Sequence, residues 1–169
     1  GVLRALIVIP WAIPPIINAS IWRWLLNADV GLGAIMKQIG LVKEAPIFLA
    51  DPVLAQVSVI IADIWKNSSI IAIFLLGGLA IIPQDIYDAA KVDGARGWFR
   101  FRRITLPMVA PTIIVALLFR CMDALRTFDL VYGLTGGGPG TTTETLSSFA
   151  YKYYFSYSRF GLGSAYAMV

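Results

Sequence analysis

Long apolar stretches with little charge constrain this chain more than any other feature of its sequence. They run from Ala5 to Trp22, from Val53 to Ile82 and from about Thr105 to Phe128, and a fourth begins near Gly161. Because a helix needs about 20 mainly apolar residues to cross a bilayer, we expect four spans, the second of them kinked. Prolines in the first stretch are tolerated where neighbouring helices satisfy the freed backbone groups. The sequence therefore predicts an all-α, polytopic transmembrane protein with about four spans.

Composition supports a membrane protein and excludes several classes of enzyme. The chain has 169 residues, of which 58% are apolar and 14% charged, against about 25% charged in soluble domains. Its net charge of +4 lies on a chain of mean hydropathy +0.74, so we predict no nucleic-acid partner. The lack of histidine excludes histidine-dependent catalysis and histidine metal sites. Cys121 is the single cysteine, so no internal disulfide or cysteine metal cage can form, and we predict neither catalytic nor metal-binding residues.

Both ends of the sequence lie within or beside apolar stretches. The chain opens with Gly1 rather than methionine, and Val169 closes an apolar run. We therefore expect a fragment of a longer protein, with residues 1–169 forming a single transmembrane domain. The sequence shows no internal repeat with a period of about 20 to 50 residues that would divide it.

The basic residues are concentrated in one connection between the predicted spans. Residues 83–103 carry five lysines and arginines, whereas the connections 27–52 and 129–160 are poor in basic residues. The positive-inside rule places the basic connection in the cytoplasm, so the other two fall outside. The segment 129–160 is also rich in phenylalanine and tyrosine, which favour the membrane interface, and we expect it to be ordered.

The basic connection has the signals of two short helices. Pro83 can begin a helix, Asp88 suits its first turns, and Gly94 can end it in a left-handed conformation. We expect a second short helix over Ala95–Arg103, followed by re-entry into the membrane near Pro107. A basic loop lying on anionic lipid is the alternative interpretation of the same composition.

The spacing of residues in this connection resembles a known motif. The string DAAKVDGA over residues 88–95, followed by Phe101, Ile104, Leu106 and Pro107, resembles the EAA loop of ABC-importer permeases. This resemblance implies coupling helices that dock in a cleft of a cytoplasmic ATPase and transmit its closure to the membrane. The family usually has glutamate where this chain has Asp88, which keeps the charge on a shorter side chain. The residues expected to couple to the ATPase, within residues 83–107, are Asp88, Ala89, Ala90, Asp93, Gly94, Ala95, Phe101 and Pro107.

Sequence further along the chain resembles the carbohydrate subfamily of these permeases, which contains the maltose-type permease. The matching segments are Leu117–Arg120, Phe128–Leu130 and Leu134–Gly140. The resemblance implies a type I, MetI-like importer fold with six or more helices in the whole subunit. It implies a sugar permease of a bacterial or archaeal cytoplasmic membrane that works by alternating access. The implied partners are a second related permease, a cytoplasmic ATPase dimer and an extracytoplasmic sugar-binding protein.

The glycine-rich stretch after Leu134 does not predict a nucleotide site, because no Gly-Lys-Ser/Thr follows it. We therefore expect this chain to bind no cofactor, and the partner ATPase to bind ATP and magnesium.

Two clusters of polar side chains, each with spacings of three or four residues that place it on one helical face, lie inside the second and third predicted spans. Charged residues at such positions cost about 2.5 to 3.5 kcal/mol, so they usually face a partner or a cavity. They could form ion pairs, Arg120 with Asp123 and Asp63 with Lys66, that join helices. They could instead contact a transported sugar, with Trp65 either stacking on it or packing within the protein. In the resembling sugar permeases the sugar lies at positions that match Asp63, Lys66, Asn67, Arg120, Asp123 and Thr127.

Three other functions stay open at this point. The near alternative is an ABC permease for another solute, such as glycerol phosphate, a polyol, an amino acid or a peptide. An ion-coupled secondary transporter or channel could use Asp63, Asp123 and Arg120 as coupling groups, although it does not explain the EAA-like loop. An intramembrane enzyme is disfavoured because no histidine or recognisable nucleophile with its base is present.

Overall fold

The computed structural model describes the backbone of residues 2–168 and the side chains of residues 7–168, and this part of the chain is helical without any β-strand. This confirms the predicted all-α fold. The helices are α1 (Val2–Ala12), α2 (Pro15–Leu25), α3 (Leu32–Gln38), α4 (Pro52–Ala80), α5 (Gln84–Val92), α6 (Gly97–Arg100), α7 (Leu106–Leu125), α8 (Asp129–Leu134), α9 (Leu146–Tyr151) and α10 (Phe160–Ala167). Two π-helical segments, Phe101–Thr105 and Lys152–Ser156, continue α6 into α7 and extend α9.

Two apolar helices are long enough to cross a membrane within the described part of the chain. One is α4, and the other is the uninterrupted helix Gly97–Leu125, which joins α6, the π-helical segment and α7; each has 29 residues. At about 1.5 Å per residue each helix extends about 43 Å, more than the hydrocarbon core of about 30 Å. The second predicted span is therefore a single helix, and it is α-helical without interruption from Pro52 to Ala80. Gly78 lets α7 approach closely, because a Cβ atom there would lie 2.7 Å from Thr112 Oγ1.

The first predicted span is two helices rather than one. α1 and α2 have 11 residues each and are separated at Ile13 and Pro14. Pro14 and Pro15 have no amide hydrogen, so the carbonyls of Pro10 and Trp11 receive no helical hydrogen bond from them. The two halves then pack differently: α1 lies against α4, and α2 lies mainly against α8. The fourth predicted span corresponds to α10, of which eight residues are helical.

The basic connection contains one short helix and the start of a long one. α5 follows Pro83, and Gly94 has a φ of +73° just beyond its end, as predicted. The prediction of a separate short helix over Ala95–Arg103 is wrong, because the helix that begins at Gly97 continues into the membrane span. The amide of Leu106 donates to the carbonyl of Phe101 in the π-helical segment, so the backbone continues past Pro107 without a break.

The segment after α7 folds back over α2 as ordered structure. α8 packs on α2, and Gly133 permits this because a Cβ atom there would lie 2.7 Å from the Cβ atom of Ala19. Thr145 and Ser148 form a capping box that begins α9. Aromatic rings then stack across the segment, with Phe128 5.1 Å from Tyr151 between ring centroids. This arrangement holds α8 beside α4 and the end of α7, and the candidate site lies where these elements meet.

Candidate functional site

A cavity of about 440 Å³, here called the central cavity, lies between the α1–α2 break, the middle of α4, the end of α7 and the start of α8. Its lining combines carboxylates, an amide and an ammonium group with aromatic and aliphatic side chains. The lining residues are Trp11, Ala12, Ile13, Pro14, Pro15, Asp63, Lys66, Asn67, Ile70, Phe119, Asp123, Thr127, Phe128, Asp129 and Leu130.

The structure brings together the six polar residues that the sequence singles out in the spans. Asp63, Lys66 and Asn67 reach the cavity from α4, and Asp123 and Thr127 reach it from the end of α7. Arg120 is the sixth, and it lies beside the cavity lining, where it binds two of these carboxylates. Spacings of three and four residues on each helix place the side chains on facing surfaces.

Arg120 connects the two long helices through an ion-pair network. Its Nη2 atom pairs with Asp63 Oδ2 on α4, and its Nη1 atom donates to Asp123 Oδ2 at 2.7 Å on its own helix. Asn67 Nδ2 donates to Asp63 Oδ1 at 2.9 Å, so both oxygens of Asp63 are hydrogen-bonded. The predicted pair of Arg120 with Asp123 is confirmed. The predicted pair of Asp63 with Lys66 is wrong, because Arg120 reaches Asp63 from the neighbouring helix.

Lys66 binds backbone rather than a carboxylate. Its Nζ atom donates to the carbonyl oxygens of Ile13 at 2.5 Å and Trp11 at 3.3 Å, both at the α1–α2 break. The carbonyl of Trp11 is one of those that Pro14 and Pro15 leave without a helical donor. Lys66 therefore satisfies a carbonyl freed by Pro15 together with the neighbouring carbonyl of Ile13, and it attaches the break to α4. A pair of prolines in a predicted span, with a lysine in the next span, is the signal that could have indicated this contact.

The aromatic side chains that line the cavity do not include Trp65, the one that the sequence analysis considered for stacking on a sugar. Trp65 packs edge-on against Trp22, with ring centroids 6.1 Å apart and an interplanar angle of 73°, and it does not belong to the lining. Trp11, Phe119 and Phe128 supply the aromatic lining instead. Sequence reasoning missed these three rings, because the apolar pattern around each of them is that of ordinary packing.

Asp129 is a further lining residue that the sequence analysis did not select. It occupies the first turn of α8, where a carboxylate suits the positive end of the helix dipole. Thr145 Oγ1 donates to the carbonyl of Thr127 at 2.8 Å, which attaches the α7–α8 corner to the start of α9. The Asp129 carboxylate therefore lies beside a corner that is attached to α9 by this hydrogen bond and to α2 by the packing of α8.

Six of the eight predicted coupling residues occupy α5 and the turn that follows it. Asp88 and Ala89 are exposed, Ala90 is buried, and Val92 is 88% exposed beside the turn at Asp93 and Gly94. The turn and the first residues of the long helix surround an open groove of about 650 Å³. The groove residues are Ala90, Asp93, Gly94, Ala95, Arg96, Phe99 and Ile104. Phe101 and Pro107 lie farther along the long helix, exposed and outside the groove lining.

Two polar contacts stabilise this segment. Asp88 accepts a hydrogen bond from Lys91 Nζ at 2.6 Å, and this lysine holds the pKa of the Asp88 carboxyl below its ordinary value. The hydroxyl groups of Tyr87 and Thr105 lie 2.9 Å apart and join α5 to the π-helical segment. α5 is therefore connected to the long helix by a direct hydrogen bond as well as by the turn at Gly94.

The glycine-rich stretch after Leu134 forms an ordered connection rather than a phosphate-binding loop. The hydroxyl groups of Thr135 and Thr143 lie 2.7 Å apart across it, and Gln56 of α4 donates to the carbonyl of Thr142 at 2.8 Å. Glu144, which is almost fully buried, forms an ion pair with Lys152. The stretch thus fixes the start of α9 relative to α4.

One protein family matches this chain over all of the given residues. A family model described as "Binding-protein-dependent transport system inner membrane component" matches residues 1–169. The chain belongs to this family. The family and the MetI-like permease fold that the sequence predicts are therefore confirmed.

The permease chain is also similar to individual transport proteins. It is 45% identical over 171 residues to the trehalose/maltose transport system permease protein MalF of Thermococcus litoralis, an alignment covering 100% of this chain and 57% of MalF. It is 40% identical over 168 residues to the sulfoquinovosyl glycerol transport system permease protein SmoG of Agrobacterium fabrum, covering 99% of this chain and 54% of SmoG. The chain thus spans about half the length of the curated relatives it matches.

A solved structure shares the fold of the permease chain. The crystal structure of a bacterial ABC transporter involved in the import of the acidic polysaccharide alginate has a TM-score of 0.88 and 27% sequence identity, covering 99% of this chain and 58% of that chain. The alginate transporter has also been solved in complex with an alginate pentasaccharide-bound periplasmic protein. The substrates named for these relatives therefore include an acidic polysaccharide as well as trehalose and maltose.

Proposed function

We propose that this chain is the main part of a permease subunit of an ABC importer that moves a sugar across the cytoplasmic membrane by alternating access. The central cavity is the observation that carries the proposal. It presents carboxylates, an amide and an ammonium group beside three aromatic rings, the combination that a hydroxylated ring with apolar faces requires. Its volume of about 440 Å³ is in the range of small-molecule sites.

The six polar residues of the spans form the proposed sugar path. Asp63, Asn67 and Asp123 are suited to accept from or donate to sugar hydroxyls, and Thr127 adds a hydroxyl group at the end of α7. Arg120 holds two of the carboxylates in place, and Lys66 holds the α1–α2 break against α4. The substrate undergoes no reaction on this path, and the proposal includes no catalytic residue.

The long helix supplies the proposed connection between ATP hydrolysis and the cavity. It begins at Gly97, beside the groove that follows α5, and Arg120 lies near its other end. The 23-residue separation corresponds to about 35 Å along the helix axis. Because the helix has no break over this distance, movement of α5 by a docked ATPase is passed to Arg120 and to its contact with Asp63. Alternating access then changes the relative position of α4 and α7 at the cavity.

The proposed assembly supplies what this chain lacks. A cytoplasmic ATPase dimer would bind ATP and magnesium and dock on residues 83–107, while this chain binds no cofactor. A second related permease would complete the path, and an extracytoplasmic sugar-binding protein would deliver the sugar. The membrane is that of a bacterium or archaeon, with residues 83–107 on its cytoplasmic side and membrane lipid around the spans.

The test is sugar-stimulated ATP hydrolysis by the full-length complex in lipid. Purified permeases and ATPase are reconstituted with their binding protein, and hydrolysis and uptake are measured with trehalose, maltose and a non-sugar panel of glycerol phosphate, amino acids and peptides. Stimulation by a sugar supports the proposal. Stimulation by a non-sugar solute alone would keep an ABC permease but contradict the sugar assignment, and failure to assemble with any ATPase would favour a secondary transporter.

A substitution at Gly94 tests separately whether this segment docks the ATPase. Gly94→Asp places an acidic side chain at a position with a φ of +73° and open space around it, so the chain should still enter the membrane but lose the ATPase. Gly40→Asp is the matched control, since Gly40 has a φ of +77° and equally open surroundings on the predicted external side. Normal co-purification of the ATPase with Gly94→Asp would contradict the coupling role.

A further inference from the structure

Carboxylates outnumber cations in the lining of the central cavity. Asp63, Asp123 and Asp129 belong to the described lining, against Lys66 as its single cation. The formal charge of the lining is therefore negative. Family membership does not decide the charge of the transported sugar, because the named substrates of the relatives are neutral in one case and acidic in another.

The nearby cations are already committed to other partners. Arg120 lies between Asp63 and Asp123, bonds to both, and has a side chain that is only 20% exposed. Lys66 directs its ammonium group at the carbonyls of Ile13 and Trp11. With Arg120 counted beside the lining, three carboxylates face two cations, so the net charge around the cavity stays negative. Drawing Arg120 toward an acidic sugar would leave a carboxylate uncompensated.

The carboxylates keep acceptor capacity toward the cavity. The Asp123 side chain is 53% exposed and binds Arg120 through Oδ2, which leaves Oδ1 available. Asp129 has no lysine or arginine nitrogen within 4.0 Å among the described side chains. Ionised carboxylates accept hydrogen bonds and cannot donate them, so they pair with hydroxyl groups and repel other anions.

We infer that the central cavity accepts an uncharged sugar, whose hydroxyl groups donate to Asp123 and Asp129, and discriminates against sugars that carry carboxylate or sulfonate groups. This inference rests on the proposed function. A substrate anion about 5 Å from Asp129, which has no cationic partner among the described side chains, meets enough repulsion at an effective dielectric constant of about 20 for a preference of at least tenfold.

The experiment compares two sugars of equal length on the assembled complex. Equilibrium dialysis measures binding of maltotriose, which is neutral, and trigalacturonate, which carries three carboxylates, to the full complex without binding protein, so that the cavity alone selects. We expect trigalacturonate to bind at least about tenfold more weakly than maltotriose. Raising the salt concentration should reduce the difference, because it arises from charge.

A charge-neutralising variant tests whether carboxylates of this chain cause the preference for the neutral sugar. The double substitution Asp123→Asn with Asp129→Asn preserves side-chain size and removes two negative charges, so the ratio of the two affinities should approach unity. Asp29→Asn removes an exposed carboxylate from the connection 27–52 and should leave the ratio unchanged. Gel filtration with the ATPase verifies that each variant assembles.

The outcomes separate the inference from the proposed function. Equal or tighter binding of trigalacturonate, or a ratio that the double variant does not change, would overturn the inference while leaving a sugar permease in place. If the assembled complex binds neither trisaccharide and neither trehalose nor maltose stimulates its ATP hydrolysis, the proposed function fails and the inference fails with it.

Discussion

Replacing Arg120 tests how much the ion-pair network contributes to the packing of α4 against α7. Arg120→Gln removes the guanidinium from Asp63, whose side chain is only 22% exposed in the middle of a span. Breaking a buried pair by removing one partner costs about 3 to 5 kcal/mol. Because Asp63 keeps the hydrogen bond from Asn67 at 2.9 Å, we expect the lower end, about 3 kcal/mol.

The double variant Arg120→Gln with Asp63→Asn isolates the cause. It removes the uncompensated carboxylate together with its partner, so most of the lost stability should return. The free energy of unfolding is measured for wild type, both single variants and the double variant by denaturant titration in detergent, followed by circular dichroism. The coupling energy of this cycle should be about 2 kcal/mol or more.

Arg126→Gln is the matched control for that cycle. Arg126 is exposed at the end of α7 and forms no ion pair among the described side chains. Its substitution should change stability by less than about 0.5 kcal/mol. A stable Arg120→Gln variant, or a double variant no more stable than the single ones, would refute the argument that the network joins α4 to α7.

Two further substitutions test the elements around the cavity. Lys66→Met leaves the carbonyls of Ile13 and Trp11 without their ammonium donor, so unfolding should become easier by about 1 to 3 kcal/mol and uptake should fall, whereas the exposed Lys37→Met should change neither. Gly78→Ala places a methyl group 2.7 Å from Thr112 Oγ1 and should destabilise α4–α7 packing by about 1 to 3 kcal/mol in thermal unfolding. Gly77→Ala meets nothing within 4 Å and should stabilise the helix by up to about 1 kcal/mol, so equal effects at the two glycines would contradict the close approach.

Much of the fold is predictable from hydrophobic length and helix-ending residues. α4 matches its predicted span within a few residues, because a 29-residue apolar helix leaves no alternative. α5 follows from Pro83 and Gly94, each of which has a specific backbone preference. The break between α1 and α2 is not predicted, although it follows from the adjacent prolines, because membrane helices can contain prolines without separating.

The continuous helix from Gly97 to Leu125 shows where local signals fail. Pro107 and Pro111 indicate the start of a new helix, yet the chain passes both of them in helical conformation. The π-helical segment before Pro107 changes the hydrogen-bond register just where proline removes a donor. A sequence pattern contains no direct signal for such a segment, so the boundary could be found only from the backbone.

The candidate site was predictable as a set of residues but not as a set of contacts. Helical spacing placed Asp63, Lys66 and Asn67 on one face of the second span. It placed Arg120, Asp123 and Thr127 on one face of the third span, and the family resemblance implied that the two faces meet. It could not decide that Arg120 would reach across to Asp63, or that Lys66 would bind the backbone. Those choices depend on the relative shift of two helices and on the position of the α1–α2 break, which are tertiary properties.

The two cations of the site have different mechanical roles. Lys66 connects α4 to the α1–α2 break, whereas Arg120 connects α4 to the long helix that begins beside the groove after α5. α4 is therefore held to the α1–α2 break and to α7 through contacts that lie one helical turn apart, at Lys66 and Asp63. If the long helix moves as one body, the strain falls first on the Arg120–Asp63 contact, because the Lys66 contact lies on the other neighbour. An opening of the cavity toward either side of the membrane should therefore begin between α4 and α7, with α1, α2 and α4 moving together.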